Sequence, residues 1–317
     1  MNKCVDVGGQ AVIEGVMMRA PESFVIAVRR QDNKIVVKKD RVKIDNNKFL
    51  KKPFLRGLIG LYNALILGIK ALNFSAYHSM GEGDEEVGKK DIIIALILGL
   101  GLGVLLFIFL PLLLTDLLKY IFPLIGKSFL VFNAVDGVIR VIFFIAYIYI
   151  ISFMKDVKRV FEYHGAEHKA IFTYENGLEL TVDNAKKMSR LHPRCGTSFL
   201  LIVMIVSIFI FSLIPKESHF LIKFSSRIVF LPVIAGISYE VLKLSSKFKD
   251  NIFVNFMILP GLWLQKITTR EPDDSQLEVA LISLKEALGE KNSIDERESS
   301  DAEGLNNDET GGELIYV

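Results

Sequence analysis

Cysteine is scarce in this 317-residue chain. There are two, Cys4 and Cys195, too few for a disulfide framework and in keeping with the reducing cytosol. An excess of charge of one sign is also missing: 38 basic and 36 acidic side chains give a formal net charge of +2. A dedicated nucleic-acid binder carries a large basic excess, so no nucleic-acid partner is expected. Met1 to Gly9 has no apolar h-region and Cys4 has none before it, so neither a secretory nor a lipoprotein signal is expected. Gly8, Gly9 and Gly15 do not follow nucleotide-loop spacings and no Walker-type lysine follows them. No internal repeat is found either, which excludes a solenoid or a symmetric transporter.

Apolar side chains, by contrast, are abundant. They make up 51% of the chain, with 23 phenylalanines and a mean hydropathy of +0.38, which places the excess in membrane spans. Ile92 to Thr115 gives 24 residues without a charge, enough to cross about 30 Å of hydrocarbon at about 1.5 Å per residue. Gly137 to Met154 is interrupted only by Arg140, with Asp136 at i−4 to offset it as a structural pair. A third span starts after Arg194 and includes Phe199 to Ile214. A fourth runs from Ile228 toward Ser246 and contains Glu240. Phe54 to Leu72 has only 13 uncharged residues between Arg56 and Lys70, so an interfacial or packed helix is expected. Ile252 to Leu264 is short and meets Pro260-Gly261, a helix-breaking pair, so a re-entrant or surface segment is expected there.

Lysine and arginine set the orientation. Sixteen precede Asp91, two lie between Thr115 and Ala134, and eight between Lys155 and Gly196. This alternation predicts a multi-pass cell-membrane protein with both termini in the cytosol and the Lys155–Gly196 segment facing the same side. The fold class expected is a membrane α-helical protein of about four transmembrane helices with a small β-rich N-terminal cytosolic unit, α+β overall. The predicted organisation is a β-rich unit at 1–52, a packed helix and linker at 53–90, and spans 1 and 2 within 91–154. A cytosolic loop at 155–196 and spans 3 and 4 within 197–246 follow. The re-entrant segment at 247–271, an amphipathic helix at 272–289 and a disordered acidic tail at 290–317 complete it. Within the first unit, Phe24 to Arg30 and Lys34 to Lys38 read as a hairpin joined by Gln31-Asp32-Asn33. In the amphipathic helix Leu277, Leu281, Leu284 and Leu288 recur at helical spacing, an apolar face able to dock on something. That helix and the tail are the expected sites for a protein partner. The tail holds nine acidic residues and two basic ones, so it carries −7 and the remainder +9, a basic body suited to anionic lipid.

The segment between spans 2 and 3 holds three of the five histidines. His164-Gly165-Ala166-Glu167-His168 is an H-x-x-E-H pattern: on a helix its histidines lie one turn apart on one face, as two ligands of one metal need. Glu167, beside them, is the candidate catalytic base that takes a proton from a metal-bound water. The alternative is an amphipathic juxtamembrane helix whose histidines merely hydrogen-bond. In Leu191-His192-Pro193-Arg194-Cys195-Gly196-Thr197, His192 and Cys195 are further zinc-type ligands at the mouth of the third span. The alternative there is a small buried thiol and an ordinary histidine. Glu240, an acid in an apolar segment, is the fifth candidate ligand or else a structural pair with Lys243. A divalent metal, zinc before others, is the cofactor expected. A thiolate ligand lowers the electrophilicity of such a site and tilts it toward a structural metal.

Four stretches in order carry a resemblance: Val7 to Arg19 (VGGQAVIEGVMMR), Tyr163 to Lys169 (YHGAEHK), His192 to Ser198 (HPRCGTS) and Gly261 to Pro272 (GLWLQKITTREP). Together they resemble the YqhQ-like family of bacterial integral membrane proteins, over about residues 4 to 288. The resemblance implies a membrane protein and the label of a predicted metal-dependent enzyme. The functions expected are a membrane hydrolase with a cytosol-facing metal site or, alternatively, a non-catalytic scaffold or assembly factor in which the same cluster is structural.

Overall fold

Alternation of β-branched and small residues from Gly8 to Arg41 leaves both sides of each strand apolar, so this segment needs cover on two faces. In the computed structural model, which describes residues 5–42, 52–79, 89–213, 219–245, 252–289 and 313–316, it forms an antiparallel meander. The strands are β1 (Gly8–Val12), β2 (Gly15–Arg19), β3 (Ser23–Arg29) and β4 (Ile35–Arg41). The β1–β2 turn is two residues, Ile13 and Glu14, with Glu14 at φ 51°. The expected β3–β4 hairpin turns through Asn33 at φ 66°.

The helices follow in chain order as α1 (Leu55–Ser79), α2 (Lys89–Val104), a π turn at Leu105–Phe109, α3 (Leu110–Ile121), α4 (Pro123–Lys127), α5 (Phe129–Ile151) and α6 (Lys155–Glu175). Then come α7 (Val182–Lys186), α8 (Thr197–Phe211), α9 (Phe220–Val229), α10 (Leu231–Ser245), α11 (Ile252–Thr268) and α12 (Asp274–Leu288). One sheet face, with Val16, Val25 and Val37, packs on Tyr163, Ala166 and Ala170 of α6 and on Leu277, Leu281 and Leu284 of α12. The other face, with Val12, Phe24, Ile26 and Val28, receives Ala71 of α1. Each such aliphatic side chain contributes about 1.5–3 kcal/mol when fully buried. The apolar face of α12 is therefore taken up inside the chain. An Asp273 N-cap with a reciprocal Gln276 bond starts this helix, and Gly289 at φ 76° ends it.

Among the described residues three helical stretches are long and apolar enough to cross a membrane: Leu55–Ser79, Ile93–Ile121 and Phe129–Ile151. A fourth is added if the pair Phe220–Val229 and Leu231–Leu244, bent by 47°, is one span. The structure redraws several expected boundaries. The first long helix continues past Asp116, whose carboxylate finds its counter-charge in Lys119 one turn on at 2.6 Å. The second begins at Phe129, eight residues before Gly137, because the Asp136 charge is met by Arg140 and Arg227 inside the protein. The third, α8, is 15 residues long, shorter than a span, and the fourth is broken at Phe230, next to Pro232. α1 packs against the sheet as expected, while also meeting the length and hydropathy of a span.

Two expectations are corrected. Pro260 does not break α11, which runs on to Thr268. A proline removes one i→i−4 bond, and here the following turn is pinned by buried Leu264, Gln265 and Thr268. The acidic tail is not disordered to its end. Glu313–Tyr316 forms β5, antiparallel to β4 with Val37 opposite Ile315, since Leu314-Ile315-Tyr316 is the one apolar, β-prone run in the tail. Residues 290–312, Cys4 and parts of the predicted linkers lie outside the described residues.

Asp136 and Arg140 pair as expected at 2.9 Å, and Arg227 joins them. Arg227 also bonds Asn133 Oδ1, Arg140 donates to Ser207, and both guanidinium groups stack near Phe211. All three charged groups are buried, so α5, α8 and α9 are tied by one carboxylate serving two cations. Removing that carboxylate in Asp136→Ala leaves two buried, unpaired guanidinium groups. It is expected to cost about 3–5 kcal/mol, read as a lowered unfolding temperature in detergent.

Candidate metal centre

The positions of the histidines follow from how α6 meets the sheet. Tyr163, Ala166 and Ala170 occupy its sheet-facing stripe at spacings of three and four, which turns His164 and His168 together onto the adjoining side. Their ring centroids are 4.5 Å apart. Gly165 between them is required by close approach: a Cβ there would lie 2.1 Å from the carbonyl oxygen of Arg270. Arg270 itself donates its N–H to the Phe161 carbonyl at 2.8 Å, so the end of α11 and the residues after it are laced onto α6.

Each histidine is fixed by a backbone carbonyl. His164 Nδ1 lies 2.8 Å from the Thr268 oxygen and His168 Nδ1 2.6 Å from the Arg190 oxygen. A carbonyl only accepts, so each Nδ1 carries the hydrogen and each Nε2 presents a lone pair. His164 Nε2 is 3.2 Å from Cys195 Sγ. His168 Nε2 is buried with no hydrogen-bond partner among the described residues. Burial is the leading influence on the His168 imidazole and holds its pKa below the ordinary value, which keeps it neutral, as a ligand must be. Cys195, just before α8, also receives hydrogen bonds from Thr197 N and Oγ1 at 3.5 and 3.3 Å. One ligand atom from each of His164, His168 and Cys195 lies within 4.8 Å of the others. The orphaned nitrogen, the mixed nitrogen and sulfur donors and the carbonyl-held Nδ1 atoms all fit a zinc-type ion.

The other predicted residues are placed differently. His192 is buried next to the trio, its ring centroid 5.6 Å from that of His168. Both of its ring nitrogens are engaged: Nδ1 accepts from Arg194 N at 3.2 Å and Nε2 faces Glu175 at 3.4 Å. Its main chain exchanges two bonds with Gln265 at 2.8 Å. It is a wall of the site. Glu240 is not brought to the cluster. Its carboxylate accepts from Arg56 Nε at 2.8 Å and from Phe54 N at 3.1 Å, closing the start of α1 onto α10. Glu167 is buried and packs against Gly9, so closely that a Cβ on Gly9 would lie 2.9 Å from its Cγ and Oε1. Burial pushes its carboxyl above the usual range, with His164, His192 and Gly9 opposing.

These groups line a cavity of about 430 Å³ that also reaches Gly8, Arg194 and Thr197. Several contributors are not evident from local sequence. Gly9 is found only through the hairpin that carries it to Glu167. Glu14, at the hairpin tip, forms an ion pair with Arg159 and lies 3.3 Å from the Tyr163 hydroxyl, seating β1 on α6. Gln265 and Thr268 belong to a stretch quoted above for its resemblance, and the structure shows what that stretch supports.

A mostly helical protein with three or four stretches apolar and long enough to span a membrane among the described residues, and a cluster of two histidines and a cysteine beside an antiparallel sheet, is the class these features describe. The chain belongs to the family described as "Protein of unknown function (DUF1385)", which matches residues 52–290. It is 40% identical over 298 residues to the "Uncharacterized protein YqhQ" of Bacillus subtilis (strain 168), covering 89% of this chain and 92% of that one. No solved structure matches.

Gly165→Ala replaces glycine by a better helix former, yet the Arg270 carbonyl leaves no room for the methyl. It is expected to destabilise the domain by about 1–3 kcal/mol in thermal unfolding. Glu175 holds the loop before Cys195. Burial alone would raise its carboxyl, but the hydrogen bond from His192 and the Arg194 charge bring it below its ordinary value of 4.5. A depressed carboxylate stabilises the fold fully above about 4.5, and that contribution is lost as pH falls through the folded value. Protection against hydrogen exchange at Leu191 to Gly196, taken relative to an unstructured peptide at the same pH, is therefore expected to fall on acidification below that point in the wild type, and to be low already at neutral pH in Glu175→Gln.

Proposed function

We propose that this protein is a zinc-dependent hydrolase anchored in the cell membrane, with its metal held by His164, His168 and Cys195 at the cytosolic face and both termini on that side. The observation that carries the reading is the convergence of two carbonyl-oriented Nε2 atoms and one thiol sulfur on a cavity that Glu167 also lines. His164, His168 and Cys195 are the residues that would hold the ion, which would supply Lewis acidity and a more acidic water when bound. Glu167, lining the same cavity with its side chain packed against Gly9, would take up a proton there and pass it to the leaving group. His192, held by Glu175 and Gln265, excludes water from one side.

Elemental analysis of protein purified without chelators is expected to give about one equivalent of zinc, retained in Glu167→Gln and Glu240→Gln and lost in the His164→Ala, His168→Ala double variant. A metal-free wild type, or a double variant with undiminished zinc, overturns the reading.

A further inference from the structure

The site lies against an open sheet edge. Of the two edges, β4 is covered by β5, whereas β1 has no strand on its outer side among the described residues. Val12 and Gly15 close a two-residue hairpin turn, so they exchange both ladder bonds, as do Gln10 with Met17 and Gly8 with Arg19. By alternation Val7, Gly9 and Ala11 point their backbone groups outward. The hydrogen bond from Ile13 N to Ser75 Oγ at 3.3 Å follows that alternation. The N–H groups of Val7 and Ala11 make no hydrogen bond to other elements among the described residues.

The edge is bare at Gly8. Gly8 and Gly9 are exposed, and a Cβ on Gly8 would meet nothing within 4 Å, whereas one on Gly9 would lie 2.9 Å from the Glu167 side chain. Paired glycines in a strand mark a place where another backbone comes close. The same stretch separates two hollows: the metal-side cavity of about 430 Å³ and one of about 490 Å³ toward α1, where Arg19 has no carboxylate partner among the described residues.

We propose that the substrate of this site is an extended polypeptide that adds as a strand to the outer edge of β1, with an acidic side chain toward Arg19. Main-chain pairing to Val7 and Ala11 supplies the affinity and Gly8 supplies the clearance. The register sets the peptide unit opposite Gly9 beside Glu167. In the reaction one water adds to that carbonyl carbon and the C–N bond breaks. The water's proton passes through Glu167 to the leaving nitrogen, giving a carboxylic acid and an amine. This substrate class rests on the hydrolase reading, while strand binding is measurable without turnover.

The test is fluorescence anisotropy with chelator-stripped, full-length protein in detergent. The probe is a labelled pool of end-blocked hexapeptides, each with one aspartate and otherwise randomised. Saturable binding is expected, weakened at least tenfold when alternate peptide nitrogens are methylated, and likewise in Gly8→Val, whose side chain enters open space and leaves the fold intact by circular dichroism. Lack of binding overturns the proposal, as does equal binding of the methylated pool or undiminished binding by folded Gly8→Val. Zinc content, measured on the same preparation before stripping, judges the metal assignment separately.

Discussion

The seating of α6 on the sheet is the contact on which the remaining geometry depends. Tyr163, Ala166 and Ala170 are all fully buried there, and because a helix is rigid about its axis, their burial fixes the direction in which His164 and His168 point. Had the apolar stripe been one residue out of phase, the histidines would have turned by about 100°. The hairpin tip reinforces the same docking through Glu14 and Arg159. Apolar packing, not ligand chemistry, therefore sets the ligand geometry, and the carbonyls of Thr268 and Arg190 refine it.

A second layer of support comes from elements distant in sequence. α11 and the residues after it supply Gln265, Thr268, Thr269 and Arg270, which hold His192, His164, Arg190 and Gly165 respectively. A segment of apolar helix is thereby made part of the polar site. In the helical bundle itself the corresponding role falls to Asp136, whose single carboxylate joins three helices through two arginines.

Much of this was legible in the sequence wherever the signal was local. The β3–β4 hairpin, the α12 periodicity and the i, i+4 histidines are patterns within a few residues, and each appears in the structure. Cys195 was placed with the histidines because both residue types share a ligand chemistry. What failed depended on long-range partners. Glu240 reads locally as a ligand or as a partner of Lys243, and the fold brings Arg56, 184 residues away, to it. The meeting of Arg227 with Asp136, 91 residues apart, has no local signal. Pro260 looked like a terminus because the contacts sustaining the next turn come from the His192 loop. Charge in an apolar run advertises that a partner exists and leaves its identity to the fold.

The sheet has a further consequence for membrane topography. β1 to β4, α6, α12 and β5 share one core or one ladder, so all four parts of the chain must lie on a single side of any bilayer. Between β4 and α6 the number of crossings is therefore even, and it is even again between α6 and α12. Among the described residues three long apolar helices stand in the first interval, so in an inserted chain an odd one would return without crossing. α1, with Ala71 against the sheet, is the one already committed. In the second interval α8, the bent α9–α10 pair and α11 compete for the same parity, and α11 is the one bound to the His192 loop. Hydropathy nominates the spans, but a folded core that the chain visits four times does the counting.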